Sequence, residues 1–454
     1  MATAAPHSNL QVSISNRQIL KIALPISLAI FVPQINFITN NIFLGHYTND
    51  PYALAVAGIT GVYYLIFAAI GFGLNNGLQA LIARRAGENR PEEIGKLFNQ
   101  GVLIGLTIAA AGIVITYTLT QFLFSLIIHD PNVQSKAVSF LQIRIWGLPF
   151  LYIYQLRNAL LVGTNQSKYL VAGTLAETVT NIGLDYLLIF GKLGLPELGF
   201  NGAAIASVIA EFIGMFVIYL VISRKGISKV FGLFKHFKWD KENSKLIWSM
   251  SSPLMFQHAI SIISWEFFFL LVEHHGTMAL KVSNVMRNIF GVFGCATWAF
   301  AATTNAMVSN VIGQGRQEEV PFLLKKIIRL STGFALIACL MLNLFPETFL
   351  SIFRQGDEFV AEALPCLRVV SAAMILMSFS IVMLNAVTGS GNTRVTFLVE
   401  LLAIIFYSLY VYLVLEFYYL PITIGWMSEW LYWISIFLPS FLYMRSGKWK
   451  NKVI

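Results

Sequence analysis

Apolar runs of twenty or more residues alternate with short polar segments along almost the whole chain. Twelve are long enough to cross a bilayer at about 1.5 Å per residue: near 18–45, 52–83, 97–122, 138–163, 168–190, 201–223, 246–273, 279–313, 322–345, 362–389, 395–416 and 422–445. The pattern predicts an all-α polytopic membrane protein. The longest polar interruption, Arg224 to Lys245, separates the first six runs from the last six. The expected organisation is a polar tail (1–17), an N-lobe of six helices (18–223), a linker (224–245), a C-lobe of six (246–445) and a second tail (446–454).

Composition agrees. The 454 residues are 57% hydrophobic and 12% charged, against about 25% charged in ordinary soluble proteins, and the mean hydropathy is +0.69. Residues 1–17 are polar, and the apolar run Ile19 to Leu44 is too long for a signal-peptide core, so no cleaved leader is expected. The net charge of +9 does not point to nucleic acid, because the basic residues fall in the short segments between runs. With the N-terminus inside, 23 of the 31 basic residues lie on that side, and only Lys136, Lys192, Lys281 and Arg354 on the other. By the positive-inside rule both tails of this multi-pass protein are cytoplasmic. Cys295, Cys339 and Cys366 form neither a disulfide framework nor a zinc site, and no cofactor is expected.

The chain repeats itself. GENRPEEI at 87–94 matches GQGRQEEV at 313–320, an offset of 226 residues, with the Gly, the Arg and both Glu identical. At the same offset Gly163-Thr-Asn-Gln-Ser-Lys168 matches Gly389-Ser-Gly-Asn-Thr-Arg394. Six spans per half is an even number, so the halves share one topology and are related by a pseudo-twofold axis along the membrane normal. A cavity between two such bundles suits alternating access. The loops themselves read as capped helix ends with no chemistry of their own.

The fifth run carries Glu177, Asn181 and Asp185 at four-residue intervals, a polar stripe on one helical face. A carboxylate at mid-bilayer costs about 2.5–3.5 kcal/mol on insertion scales, so Asp185 and Asn181 are the candidate ion- or proton-binding centre of a transporter. The competing reading is a buried acid hydrogen-bonded to a neighbouring helix that never titrates.

These residues resemble the multidrug and toxic compound extrusion (MATE) family, in its prokaryotic form, over about 18–445. Leu24-Pro25 opening the first run, FLGH at 43–46, NIGLDYLLIFG at 181–191, LGFNGAAIAS at 198–207 and the paired Gly-Arg-Glu-Glu loops carry the resemblance. It implies a secondary antiporter that exports organic, often cationic, drug-like compounds in exchange for Na⁺ or H⁺. The family's N-lobe cation site falls on Asp185, Asn181, Asn158 and Ser207, the last where many relatives have Thr. Many prokaryotic members carry an Asp in span one where this chain has Asn40, which can offer an oxygen but cannot carry a proton. Coupling would then rest on Asp185, with Glu177 a further candidate, and the ion is left open between Na⁺, with Asp185 as its one possible metal position, and H⁺.

Other branches place an acid in span seven. Here Trp265-Glu266 resembles that pattern, an earlier Glu position falls at Ser261, and span ten has no acid past Glu362 at its first position, so Glu266 is the C-lobe candidate for coupling or cation recognition. Its alternative is a structural acid paired with Arg287 or a His. Arg144, Arg157, Arg287 and Arg368 lie within spans and either line the cavity, neutralise acids or snorkel; Arg157 and Arg287 sit deepest. Pro25 and Pro33 would let span one bend, and Pro25 is the expected hinge. Glu211, Glu400 and Glu429 also lie in spans and receive no function. The expected partners are membrane lipid and small organic substrates, not nucleic acid, with the protein acting as a monomer. The rival function is a flippase for lipids or lipid-linked oligosaccharides; an embedded enzyme would need a catalytic constellation that the chain lacks.

Overall fold

A computed structural model describes residues 10–46, 53–128, 130–235, 237–353, 356–452 and 454. No strand occurs among them. Twelve long helices follow the predicted runs: α1 (Asn16–His46), α2 (Ala53–Gly87), α3 (Pro91–Ile127), α4 (Pro131–Gly163), α5 (Leu170–Ile189), α6 (Gly199–Arg224), α7 (Lys241–Glu273), α8 (Thr277–Gly313), α9 (Val320–Leu344), α10 (Asp357–Gly389), α11 (Thr393–Phe417) and α12 (Ser428–Arg445). Ten are long and apolar enough to span a membrane by length and composition alone. The other two are α5 and α12, and in α5 the polar stripe itself dilutes the hydropathy.

Several helices depart from the ranges expected above. α4 starts at Pro131 and contains a 3₁₀ turn at Ile145–Gly147, and α11 ends in a π-helical turn at Tyr412–Phe417. A short helix, Ile422–Trp426, precedes α12. The segment 224–245 holds another, Ile227–Phe231, and α7 begins within it because Asp240 caps the helix. The Asp240 carboxylate accepts from the backbone N–H of Glu242 (3.0 Å) and Asn243 (3.2 Å) and from Asn243 Nδ2 (2.7 Å). These bonds, the Asn243 side chain first, hold its carboxyl below the usual carboxylate range. A depressed folded-state value contributes stability above the unfolded value, lost as pH falls through the carboxylate range. Asp240→Ala is therefore expected to lower stability by about 1 kcal/mol at pH 7, and the difference from wild type should shrink below about pH 4, both read from thermal unfolding in detergent.

The repeat is visible in the backbone. α2 and α8 end on Gly87 and Gly313, and the next turn takes a left-handed residue at Asn89 (φ 57°) and Gly315 (φ 74°). After α4 and α10, Asn165 (φ 60°) and Gly391 (φ 96°) do the same. Across the lobe boundary Gln79 Nε2 donates to Ala302 O (2.9 Å) and Asn305 Nδ2 donates to Asn76 O (3.0 Å). These two bonds are equivalent under the 226-residue shift.

Among the described residues, the hydrogen bonds between the lobes gather toward one end. Among the described residues, every hydrogen bond from α2 to the C-lobe helices starts or ends between residues 74 and 85, in the half of α2 nearest the basic loops. One hydrophobic core at that end joins Leu74, Leu78, Leu81 and Phe98 of the N-lobe to Met250, Phe300, Met307 and Val311 of the C-lobe. Toward the opposite face each lobe has its own core, around Val56, Leu141 and Phe200 in one and Phe268, Met286 and Trp426 in the other. The extended segment before α1 straps the closed end. Gln11 Nε2 donates to Gly87 O (2.9 Å), Asn310 both donates to Leu10 O (2.8 Å) and accepts from Val12 N (3.1 Å), and Lys326 Nζ donates to Ile14 O (3.1 Å).

Candidate functional site

α5 lies between α1 and α6 and turns its polar stripe inward. Asp185 is 0% and Asn181 2% exposed, so neither faces lipid. Opposite them α1 presents Asn36 and Asn40, one helical turn apart. Asn181 has partners in both orientations of its carboxamide. With the nitrogen inward, Nδ2 donates to Asp185 Oδ2 (3.1 Å) and Asn36 Oδ1 (2.8 Å), and Oδ1 accepts from the Ser207 backbone N–H (3.2 Å). With the oxygen inward, Oδ1 accepts from Asn40 Nδ2 (3.3 Å) and Nδ2 donates to Ser207 Oγ (3.3 Å). The structure thus gathers Asp185, Asn181, Asn40 and Ser207, four of the expected residues.

Two oxygens in this group, Asp185 Oδ1 and Asn40 Oδ1, are buried without a hydrogen-bond partner among the described residues, and Asn158 Oδ1 on α4 is a third. Buried acceptors are rarely left unpaired. An acceptor-only set of one carboxylate and carboxamide oxygens has the chemistry of a small hard cation's shell. No hydrogen bond among the described residues joins Asn158 to Asp185 or Asn181.

Glu177 belongs to a different cluster, two turns away from Asp185. Its Cβ packs against Gly214 of α6, and its charged neighbours are Glu211, Arg144 and Arg157. Arg144 grips Glu211 through two bonds (2.6 and 2.9 Å) and stacks 3.7 Å over the Tyr64 ring, while Tyr64 OH donates to the same carboxylate (3.2 Å). Arg157 donates to Ile153 O (3.1 Å) and Met215 O (2.7 Å), and its Nη2 is buried without a partner. Arg368 is exposed at the C-lobe surface.

In the C-lobe Glu266 and Arg287 are 3.5 Å apart, both about a quarter exposed, and the guanidinium lies over Trp265 (4.9 Å) and Phe269 (5.1 Å). The position taken by Ser261 is not without an acid. Ser261 Oγ donates to Glu400 Oε1 (2.7 Å) from α11, and Tyr432 OH donates to the same oxygen. Glu429 accepts from Trp433 Nε1 (3.1 Å). At the lobe boundary Asn76 Nδ2 meets His258 Nε2 (3.2 Å), whose Nδ1 lies 3.0 Å from Leu254 O.

Pro25 has an observable consequence for α1. Lacking an N–H, it leaves the carbonyl four residues earlier without its helical donor, and that carbonyl, Lys21 O, accepts instead from Ser167 Oγ (3.4 Å) in the α4–α5 turn. The proline therefore ties the lower end of α1 to the segment that launches α5.

The family model MatE matches residues 25–187 and again 253–413, two segments displaced by close to the repeat offset. "Probable multidrug resistance protein NorM" of Thermotoga maritima is 23% identical over 447 residues, covering 96% of this chain and 94% of that one. A NorM of Photorhabdus laumondii described in the same words is 24% identical, covering 84% of each. Among solved structures, MATE in complex with MaL6 superposes with a TM-score of 0.88 at 16% identity over 98% of both chains. An outward-facing multidrug resistance MATE transporter of the MOP superfamily gives 0.87 at 17% over 98% of both. With the helical bundle, the repeat and the buried Asp185 centre, the double match establishes that this chain belongs to the MatE family, the MATE transporters.

Proposed function

We propose that the protein is a secondary antiporter that exports organic, often cationic, drug-like compounds in exchange for Na⁺ or H⁺. The observation that carries this reading is the Asp185 centre: a fully buried carboxylate with one oxygen unpartnered among the described residues, held between α1, α5 and α6 of a lobe whose described hydrogen bonds to its partner gather toward one end. The basic loops favour placing the closed end in the cytoplasm of a bacterial inner membrane, with both tails inside, so the cleft opens outward.

Binding of the incoming cation at Asp185 neutralises the buried charge and lets the Asn181 carboxamide turn its oxygen toward the site. That exchange turns a donor toward α1 into an acceptor at a position 2.7–2.8 Å from Asn36 and 3.3 Å from Asn40 Nδ2, which changes how α5 pairs with α1. α1 bends at Pro25, the N-lobe cavity repacks and the organic substrate leaves outward; the ion then leaves inward as the lobes rock back. Ion and substrate move the equilibrium only through different affinities for its two states. Glu266, Trp265 and Phe269 present a carboxylate and flat aromatic faces suited to an amphipathic cation. Arg287 competes for the same surfaces until the substrate displaces it. The transported organic molecule is unchanged by passage, so no covalent step is involved.

Efflux of a fluorescent organic cation from proteoliposomes, driven separately by a Na⁺ gradient and by a pH gradient, tests the reading. The set of oxygen acceptors, two of them on carboxamides that cannot bind a proton, supports Na⁺ as the more effective driver. Efflux indifferent to both gradients would remove the antiport reading.

A further inference from the structure

A cavity of about 600 Å³ opens on the closed face, and Asp185 is not among the residues that line it. Lys21 from the first turns of α1, Lys168 from the α4–α5 turn and Lys225 from the end of α6 converge on it. None of the three is in an ion pair among the described residues, and no carboxylate lines the cavity. Arg316 reaches it from the α8–α9 turn of the other lobe, but its guanidinium is committed to Glu319 (2.7 and 2.8 Å) and Gln314 Oε1 (3.0 Å). The strap before α1 forms one wall, pinned to the C-lobe by Gln314 Nε2 donating to Val12 O (3.0 Å). Gln18 Nε2 donating to Asn165 Oδ1 (2.6 Å) fixes the floor, and Ile227 and Val230 supply an apolar rim.

Basic loops are common on a cytoplasmic face, and most of their lysines are solvated singly. Three exposed lysines from three separate segments, none in an ion pair among the described residues, line one concavity without a carboxylate, and Lys168 Nζ lies 4.9 Å over the Tyr169 ring of the same cavity, which differs from that background. Ammonium groups recognise phosphate as point charges, and the volume and apolar rim suit something larger than the bare ion. We propose that this cavity binds a phosphate-bearing anion with a small organic moiety, supplied either as the headgroup of an anionic phospholipid or as a soluble phosphoester. Its walls come from both lobes, so the site is complete only while this face is closed. A ligand there stabilises the closed-face state by its differential affinity.

The test measures thermal unfolding of the full chain in three settings: nanodiscs of phosphatidylcholine, nanodiscs containing phosphatidylglycerol, and phosphatidylcholine nanodiscs with glycerol 3-phosphate at matched ionic strength. A rise of about 3 °C or more is expected with at least one anion. A rise with phosphatidylglycerol alone assigns the lipid headgroup; a rise with glycerol 3-phosphate assigns a soluble ligand as well. Lys21→Gln, Lys168→Gln and Lys225→Gln together should abolish most of the shift. Lys235→Gln, Lys241→Gln and Lys245→Gln, the same loss of charge outside the cavity, should retain it. The site is overturned if neither anion raises the midpoint, or if the control variant loses as much as the cavity variant. Lys225→Gln alone, at an exposed position, carries the same test if the triple variant does not express: its shift should fall by half or more, and an undiminished shift overturns the site.

Discussion

Asp185→Asn is expected to reduce gradient-driven efflux about a hundredfold while the protein still folds. Moving a two-state equilibrium from 1:99 to 99:1 takes about 5.5 kcal/mol of differential affinity. In the N-lobe centre Asp185 is the one negative charge through which a cation can acquire it, since Asn36, Asn40, Asn181 and Ser207 are all neutral. The substituted amide keeps the volume of the carboxylate and can still accept from Asn181 Nδ2. It also relieves the cost of holding a charge out of water, so the thermal midpoint should stay within about 2 °C of wild type or rise. Loss of transport with intact folding separates a coupling acid from a structural one. Asp185→Asn protein that still couples efflux to the ion gradient would assign the carboxylate to packing and move the search to Glu266.

The neighbourhood of that acid was only partly legible in the sequence. Periodicity put Glu177, Asn181 and Asp185 on one face, and they share it. Eight residues along a helix is about 12 Å, however, and over that distance the facing helices change. Asp185 and Asn181 look onto Asn36 and Asn40, whereas Glu177 meets Gly214 and the Arg144–Glu211 pair. Asn36 could have been found, because it precedes Asn40 by one turn in an apolar run and the pair mirrors the stripe on α5. Glu400 could not. Its contact with Ser261 joins positions 139 apart, and no local pattern shows that α11 supplies an acid where α7 has lost one. The Arg144–Glu211 ion pair is hidden for the same reason. Twelve runs and the 226-residue shift were readable because length and repetition survive without tertiary knowledge. Breaks such as the 3₁₀ turn in α4 and the π turn in α11 follow from packing.

The shift also locates a point where a small change should have a large effect. A Cβ on Gly87 would fall against the Asn310 carbonyl, and one on Gly313 against the Arg84 carbonyl. These are the two copies of one contact, and in each the obstacle is backbone of the opposite lobe, which cannot rotate away. Gly87→Ala with Gly313→Ala should leave both helices intact, since Ala is favoured over Gly in a helix by about 1 kcal/mol. The cost falls on the contact between lobes instead. Overpacking of this kind costs about 1–3 kcal/mol per site; the two sites are close enough to couple, so about 3 kcal/mol is expected for the pair. That is about a 150-fold shift away from the closed face. Spin labels at Glu92 and Glu318, exposed equivalent positions just beyond the two glycines, should show a new long-distance population, and efflux should fall with it. Gly333→Ala, where a Cβ meets nothing within 4 Å, should change neither readout. If the label distances of the double variant match wild type, the close approach at residues 87 and 313 is not what seals this end. The hydrophobic core shared by the two lobes and the hydrogen bonds across the boundary would then have to hold it closed.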